Sequence, residues 1–163
     1  MKPAHAAAAK ARGPRPGSIV RVEGLNYGDL DEHLGYVLRR AQLAGFEAFH
    51  LATERIDVTP ARYTALTIVG ANPGLSQSDL GAALGTARSG AMMLVDWMEK
   101  RGLAERRSQP DDGRAWGLHL TRHGETKLRD MKARVRAEDA NFAARLSPRE
   151  RATLRRLLDK LAG

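Results

Sequence analysis

The sequence contains no cysteine among its 163 residues. This excludes a disulfide framework, a thiolate metal site and a cysteine nucleophile. Aromatic residues make up only 5% of the chain, which together with abundant alanine favours closely packed helices over a large sheet. Hydrophobic residues still reach 42%, which is enough for the core of one domain.

Long apolar runs are also missing. No stretch approaches the roughly 18–20 apolar residues of a membrane span. The apolar stretch near the N-terminus is four alanines, residues 6–9, too short for a signal-peptide core of roughly 7–15 residues. We therefore expect a cytoplasmic protein without a membrane partner.

Motifs for enzymatic chemistry are absent as well. There is no glycine-rich phosphate loop of the usual spacing and no G-x-S-x-G elbow. His119 and His123 are four residues apart, but a strand end and a turn are predicted between them, which does not suit a shared metal. We predict no catalytic residue, no metal, no cofactor and no enzymatic activity.

The charge balance is basic. Lysine and arginine number 27 against 19 acids, a net charge of +8, which becomes +16 (twice +8) in a dimer. Such a balance indicates a polyanionic partner, nucleic acid first and an anionic membrane second.

Residues 75–121 organise the rest of the chain. Ser76 is a good N-cap, with Asp79 three residues on as in a capping box, and Gly85 ends that short helix. A second helix is predicted over 87–101, with one continuous apolar face. Two short helices joined by a tight glycine turn indicate a helix-turn-helix.

A basic hairpin follows the second helix. Strands are predicted over 103–107 and 114–120, joined by a turn that contains Pro110 and Asp112-Gly113. Arg106, Arg107 and Arg114 lie near its tip. This order predicts a winged helix, with one element for the major groove and one for the minor groove. The alternative is an arginine-rich hairpin that is only a solvated edge.

Residues 73–124 resemble the MarR (multiple antibiotic resistance regulator) family of transcription factors. The matching pieces are PGLSQSDL (73–80), LG (84–85), RS (88–89), LVD (94–96), EKRGL (99–103), ER (105–106), PDD (110–112), Arg114 and LT (120–121). The resemblance implies a homodimeric regulator whose binding to double-stranded DNA is relieved by a small ligand. Two departures are notable: the wing is one arginine short at Gly113, and the recognition helix has Gly90, Met92 and Met93 where the family has Thr and Arg. They predict base readout that is more apolar, or that depends on Arg88, Ser89 and the wing.

The DNA-binding candidates lie on the helix-turn-helix and the wing. They are Ser76, Gln77, Thr86, Arg88, Ser89, Arg106, Arg107 and Arg114. A nonspecific DNA-coating or architectural protein and a protein–protein adaptor remain as competing classes.

The flanking segments complete the expected architecture. Helical spacing of apolar residues predicts dimerisation helices in 25–58 and in 122–163, on either side of a winged helix-turn-helix over 59–121. The fold class is thus mainly α with a small β-hairpin wing, and long dimerisation helices from both termini. Residues 1–24 are predicted to be a flexible basic tail; the alternative is an arm that touches DNA phosphates or the partner subunit.

A ligand site is expected where the dimerisation helices join the winged helix, as the resemblance implies. Its candidates are His33, Tyr36, Arg39, Arg40, Arg62, Tyr63 and Trp97. Arginine could bind a carboxylate bidentately, so we expect an aromatic carboxylate, a phenol or an aromatic acyl-CoA. The alternative is that the tyrosines are core or interface residues and the arginines are surface charges.

Overall fold

The computed structural model describes residues 21–54, 56, 58–109 and 112–163, with the backbone alone at 109 and 112–115. Most of the predicted tail and the tip of the wing lie outside the described residues. The helices are α1 (Leu34–Thr53), α2 (Pro60–Ala71), α3 (Gln77–Ala83), α4 (Arg88–Lys100), α5 (Arg122–Phe142) and α6 (Pro148–Ala162). The strands are β1 (Ala104–Gln109) and β2 (Asp112–Leu120). This mainly helical chain with one hairpin confirms the predicted fold class.

The chain divides into two compact units, 1–47 and 48–163. The first contains a short 3-10 helix, Gly28–Glu32, and the larger part of α1. The apolar spacing of 29–52 predicts one continuous helix from Asp29 onward, and this prediction is wrong. Gly28, with a φ of +60°, begins the 3-10 turn, and His33 after it has an extended backbone. The turn is separate from α1 because an extended residue does not fit within an α-helix.

The second unit contains the winged helix. Leu66 and Val69 of α2, Leu80 of α3, and Val95 and Met98 of α4 are fully buried together with Leu118 of β2. Because each helix presents one apolar stripe, these side chains meet in a single core. That core fixes the positions of α3, α4 and the hairpin relative to one another.

Side-chain caps set the starts of four helices. Thr59, Ser76 and Thr121 accept hydrogen bonds from the backbone N–H groups of Arg62, Asp79 and Gly124. Ser147 and Glu150 form a complete capping box at the start of α6. At α3 the expected box is altered, because Ser76 Oγ itself donates to Asp79 Oδ2 at 2.7 Å.

The hairpin is antiparallel and joins the body through β2. Ala104 pairs with Leu120 and Arg106 with Leu118, with a register shift between Ser108 and Gln109. The loop before α3 adds a bridge: Gly74 N donates to Leu118 O, and Leu118 N donates to Leu75 O, both at 2.9 Å. A side chain at Gly117 would come within 2.8 Å of the backbone of Gly74. This close approach seats the hairpin on the helix-turn-helix.

Helix α6 lies at the surface along its whole length. Every residue of Pro148–Ala162 is exposed in the single chain, including four leucines at 154, 157, 158 and 161. Within the described ranges, no helix combines the length and the apolar character needed to cross a membrane.

Candidate nucleic-acid interface

The outer face of α4 carries four exposed side chains in its first two turns. Arg88, Ser89, Met92 and Met93 are exposed, whereas Ala91, Val95, Trp97 and Met98 on the inner face are buried. The helix therefore presents a short outward stripe that begins basic and polar and becomes apolar. Its N-cap residue, Ala87, makes no side-chain capping hydrogen bond.

The turn between α3 and α4 is held by Thr86. Its backbone N–H donates to Gly81 O at 3.1 Å, and its hydroxyl lies against Gly90. A Cβ at Gly90 would be 2.3 Å from Thr86 Oγ1, which is closer than atoms can approach. Glycine at position 90 is thus explained by packing against Thr86, a reason the sequence could not reveal.

A small cleft connects the two helices of the motif. It has a volume of about 170 Å³ and its lining includes Gln77, Thr86 and Arg88. Ser76 and Gln77 lie at the start of α3 and are partly exposed. Gln77 of α3, Thr86 of the turn and Arg88 of α4, all predicted to bind DNA, therefore share one surface.

Arg106 of β1 is held by other side chains. It forms ion pairs with Glu99 at 3.2 Å and with Asp96 at 3.9 Å, and it donates a hydrogen bond to Gln77 Oε1 at 3.2 Å. One guanidinium thereby links the hairpin, the C-terminal half of α4 and the start of α3. It also offsets part of the negative charge of two carboxylates that would otherwise repel phosphate from this face.

The other wing arginines differ in setting. Arg107 pairs with Glu105 at 2.6 Å, and both side chains are largely exposed. Arg114 lies on β2, but its side chain is outside the described part. Trp116 pairs with Ser108, which is two residues after Arg106 on β1. Trp116 and Arg106 therefore lie on the same face of the hairpin. Trp116 is 58% exposed, an unusual state for a tryptophan.

Of the ligand candidates of the second unit, Arg62 lies against Trp97. The guanidinium carbons of Arg62 and Arg101 lie 4.9 and 5.2 Å from the centre of its indole ring, within cation–π distance. Trp97 Nε1 is buried and has no hydrogen-bond partner within the described part of the chain. Tyr63 instead packs its ring 5.7 Å from that of Phe49, as expected for a core side chain.

A pocket opens beside this tryptophan. Its volume is about 210 Å³. The apolar lining comes from Ile56, Val58, Trp97, Leu103 and Met131, and the basic lining from Arg101, His123 and Lys127. An apolar cavity with basic groups can bind a flat apolar molecule that carries a negative charge.

Of the ligand candidates of the first unit, Arg40 and Tyr36 are in contact. The guanidinium carbon of Arg40 lies 5.9 Å from the ring centre of Tyr36, and its Nε is buried without a partner among the described residues. His33 lies 3.8 Å from the carboxylate of Asp29. Arg39 is exposed.

Sequence reasoning missed several residues of these sites. Arg101, His123 and Lys127 are distant in sequence from the other ligand candidates, and only the fold brings them beside Trp97. Trp116 lies within the predicted strand 114–120, but its exposure was not anticipated. The apolar residues of this strand alternate only in part, so the sequence did not establish which face of the strand is covered.

Comparison with known proteins agrees with this geometry. Residues 56–115 match the family model described as MarR family. The chain is 40% identical over 138 residues to a protein named as a transcriptional regulatory protein for the hcr operon of Thauera aromatica, covering 84% of this chain and 83% of that protein.

Solved structures show the same fold. The transcriptional repressor CouR bound to a 23-mer DNA duplex superposes with a TM-score of 0.80 at 34% identity, covering 85% of this chain and 99% of that one. CouR bound to p-coumaroyl-CoA gives 0.76 at 33% identity, covering 85% and 97%. The Mycobacterium tuberculosis MarR-family protein Rv2887 in complex with salicylic acid gives 0.64 at 26% identity, covering 79% and 96%. The chain belongs to the MarR family of winged helix-turn-helix, DNA-binding transcriptional regulators.

Proposed function

We propose that this protein is a homodimeric repressor that binds a near-palindromic operator and is released from it by a small aromatic effector. The observation that carries the proposal is the single surface formed by the start of α3, the outer face of α4 and the hairpin. Two such surfaces related by a twofold axis would enter successive major grooves, about one helical turn apart. The likeness to CouR on DNA supports this arrangement, and the proposal places the protein in the cytoplasm with its DNA.

The DNA contacts divide by chemistry. Arg88 and Ser89 lie early on α4 and are free to reach base edges or phosphates, with Thr86 behind them. Ser76 and Gln77 hold phosphate at the start of α3. Arg107 and Arg114 serve the wing, where arginine enters a narrow minor groove.

Dimerisation uses the segments on both sides of the winged helix, within 25–58 and 122–163. The support is exposed apolar surface in each unit. Leu34 and Val37 are exposed in the first unit, and the four leucines of α6 are exposed in the second. Apolar surface of this kind gains free energy when a second copy covers it, at roughly 25 cal/mol per Å².

A selection experiment tests the operator. The full-length protein is used to select duplexes from a randomised pool, and the selected site is then footprinted. We expect one short protected site with two symmetric half-sites. Diffuse protection without symmetry would instead favour the nonspecific DNA-coating protein, and no binding at low salt would favour the adaptor.

The effector is an aromatic acid, a phenol or an aromatic acyl-CoA. Support comes from the apolar, basic pocket beside Trp97 and from the p-coumaroyl-CoA and salicylic acid bound by the two structural relatives. His33, Tyr36, Arg39 and Arg40 of the first unit and Arg62 and Tyr63 of the second are the further candidates.

Thermal-shift measurements with p-coumaroyl-CoA, p-coumarate, salicylate and free coenzyme A test the effector class. A shift with the thioester and none with free coenzyme A identifies the aromatic acyl group as the recognised part. Lys127→Ala removes a charge from the pocket, and a charged hydrogen bond is worth about 1.5–3 kcal/mol, so the Kd should rise about tenfold or more. Arg129→Ala, an exposed change on the same helix outside the pocket, is the control.

A further inference from the structure

The two methionines on the outer face of α4 are unusual for their exposure. Met92 is 48% exposed and Met93 is 66% exposed, whereas Met98 on the inner face and Met131 on α5 are buried. Met92 thus keeps about half of its surface, and Met93 about two thirds, open to solvent in the single chain. Two long apolar side chains therefore occupy the second turn of the helix that enters the major groove.

Their neighbours along the helix define what they can reach. Arg88 and Ser89 lie one turn before them, and Asp96 and Glu99 lie one to two turns after them. The two carboxylates are paired with Arg106 of the wing and cannot lie directly against phosphate. The N-terminal half of α4 is thus the part that suits the groove, and the methionines lie within it.

Only one feature of the major-groove edges of DNA bases matches an apolar side chain. The C5-methyl group of thymine is the apolar group displayed there, whereas the other groups donate or accept hydrogen bonds. Methionine is unbranched and flexible, so it can adjust to a methyl group without a fixed rotamer. A polar base edge would leave its donors and acceptors unpaired against these side chains.

We propose that Met92 and Met93 read the operator through the methyl groups of thymines in each half-site. This rests on the proposed function, because it requires a specific operator. It makes the readout of α4 chiefly apolar and leaves Arg88 and Ser89 for phosphate and for base positions at the start of the helix.

Replacement of thymine by uracil tests this directly, because only the methyl group is removed. The duplex selected with the full-length protein is resynthesised with deoxyuridine at one thymine position at a time, in both half-sites. Binding is measured by fluorescence anisotropy at constant salt. At the contacted positions we expect the Kd to rise about fourfold per methyl group removed, and no change at thymines outside the half-sites.

Paired variants assign the effect to the two methionines. Met92→Gln with Met93→Gln keeps side-chain length but removes the apolar ends, and the thymine-to-uracil ratio of Kd should fall to about one. Met92→Leu with Met93→Leu keeps the apolar character and should keep the ratio above about two. Both positions are exposed, and leucine and glutamine are good helix formers, so helix content by circular dichroism should not change.

The outcomes distinguish the methyl readout from the proposed repressor function. A selected symmetric site that binds equally well with uracil at every half-site thymine overturns the methyl readout and leaves the repressor intact. A thymine preference that persists in the glutamine variant overturns the role of these residues. Failure to select any site removes the proposed function and the methyl readout with it.

Discussion

At the scale of single residues, Arg106 holds three parts of the winged helix together. The sequence predicted that Arg106 binds DNA. In the fold its guanidinium contacts Glu99, Asp96 and Gln77 instead. Because the side chain is 37% exposed, solvent screens these pairs and their stabilisation is modest, roughly 0.2–1 kcal/mol. Its larger effect is on the charge of the DNA-facing surface.

Arg106→Ala should weaken operator binding several-fold by leaving two carboxylates uncompensated beside the phosphates. If neutralisation is the reason, adding Glu99→Gln to Arg106→Ala should restore most of the lost affinity. Anisotropy titrations of both variants and of Glu99→Gln alone measure this. An affinity that stays low in the double variant would mean that Arg106 contacts DNA itself. Arg107→Ala is the control, because it removes one positive charge from the same strand.

Gly124 has no space for a side chain. A Cβ there would lie 1.9 Å from Leu103 O and 2.8 Å from Leu103 C, and a backbone carbonyl cannot move aside as a flexible side chain can. The amide of Gly124 is also held by Thr121 Oγ1 at 3.0 Å. The close approach of Gly124 to Leu103 joins the start of α5 to the start of the wing.

Gly124→Ala should lower the free energy of unfolding by at least about 2 kcal/mol, at the upper end of overpacking effects. Urea unfolding followed by circular dichroism gives the value. The matched change Thr126→Ala, exposed on the same helix, should alter stability by no more than about 0.5 kcal/mol. Equal stability of the two variants would show that the chain relaxes freely at this junction.

At the scale of elements, α6 depends on the cap at its start. The backbone N–H of Ser147 donates to Glu150 Oε2 at 2.7 Å. This backbone bond has the larger effect, and a bond to the Ser147 side chain has the smaller one; both lower the pKa of Glu150 below its ordinary value of 4.5. A carboxyl whose folded pKa is lowered stabilises the fold above its unfolded pKa, and this stabilisation is lost as the pH falls through the folded value.

The start of α6 should therefore loosen as the pH falls below 4.5, the ordinary value. Carbon-13 NMR of the Glu150 carboxyl measures its pKa, and amide exchange at 150 and 151 reports the cap. Ser147→Ala removes the side-chain bond and keeps the backbone N–H, so the pKa of Glu150 should rise part of the way toward its ordinary value. A Glu150 pKa that is the same in both proteins would contradict the contribution of the Ser147 side chain.

Local signals in the sequence were sufficient for most elements. Ser76 predicted the start of α3 correctly, because a cap is made by residues within one turn. Thr59-Pro60 and Ser147-Pro148 carry the same local signal, a capping hydroxyl followed by proline, at the starts of α2 and α6. The break at His33 was missed because apolar periodicity continues across it. The close approach of Gly117 to Gly74 and the ion pairs of Arg106 also could not be predicted, since each joins segments whose proximity is a property of the packed fold.

At the scale of the whole molecule, the basic charge and the exposed apolar surface together favour a dimer that binds DNA. A net charge of +8 per chain favours a polyanion, but charge alone does not distinguish a specific repressor from a protein that coats DNA. A palindrome can be read only by two copies with fixed spacing. The apolar face of α6 is the surface on which a second copy would pack. The oligomeric state therefore distinguishes a specific repressor from a DNA-coating protein.

Leu157→Asp places a carboxylate in that apolar face, where Leu157 is 45% exposed in the single chain. If a partner covers it, burying an unpaired charge costs several kcal/mol, so the variant should sediment as a monomer at micromolar concentration. It should also lose the symmetric footprint while keeping salt-dependent, nonspecific binding through the intact winged helix. Ala152→Asp adds the same charge on the opposite side of α6 and should stay dimeric with its footprint unchanged. A Leu157→Asp protein that remains dimeric would remove α6 from the interface and transfer the role to the exposed leucine and valine of α1.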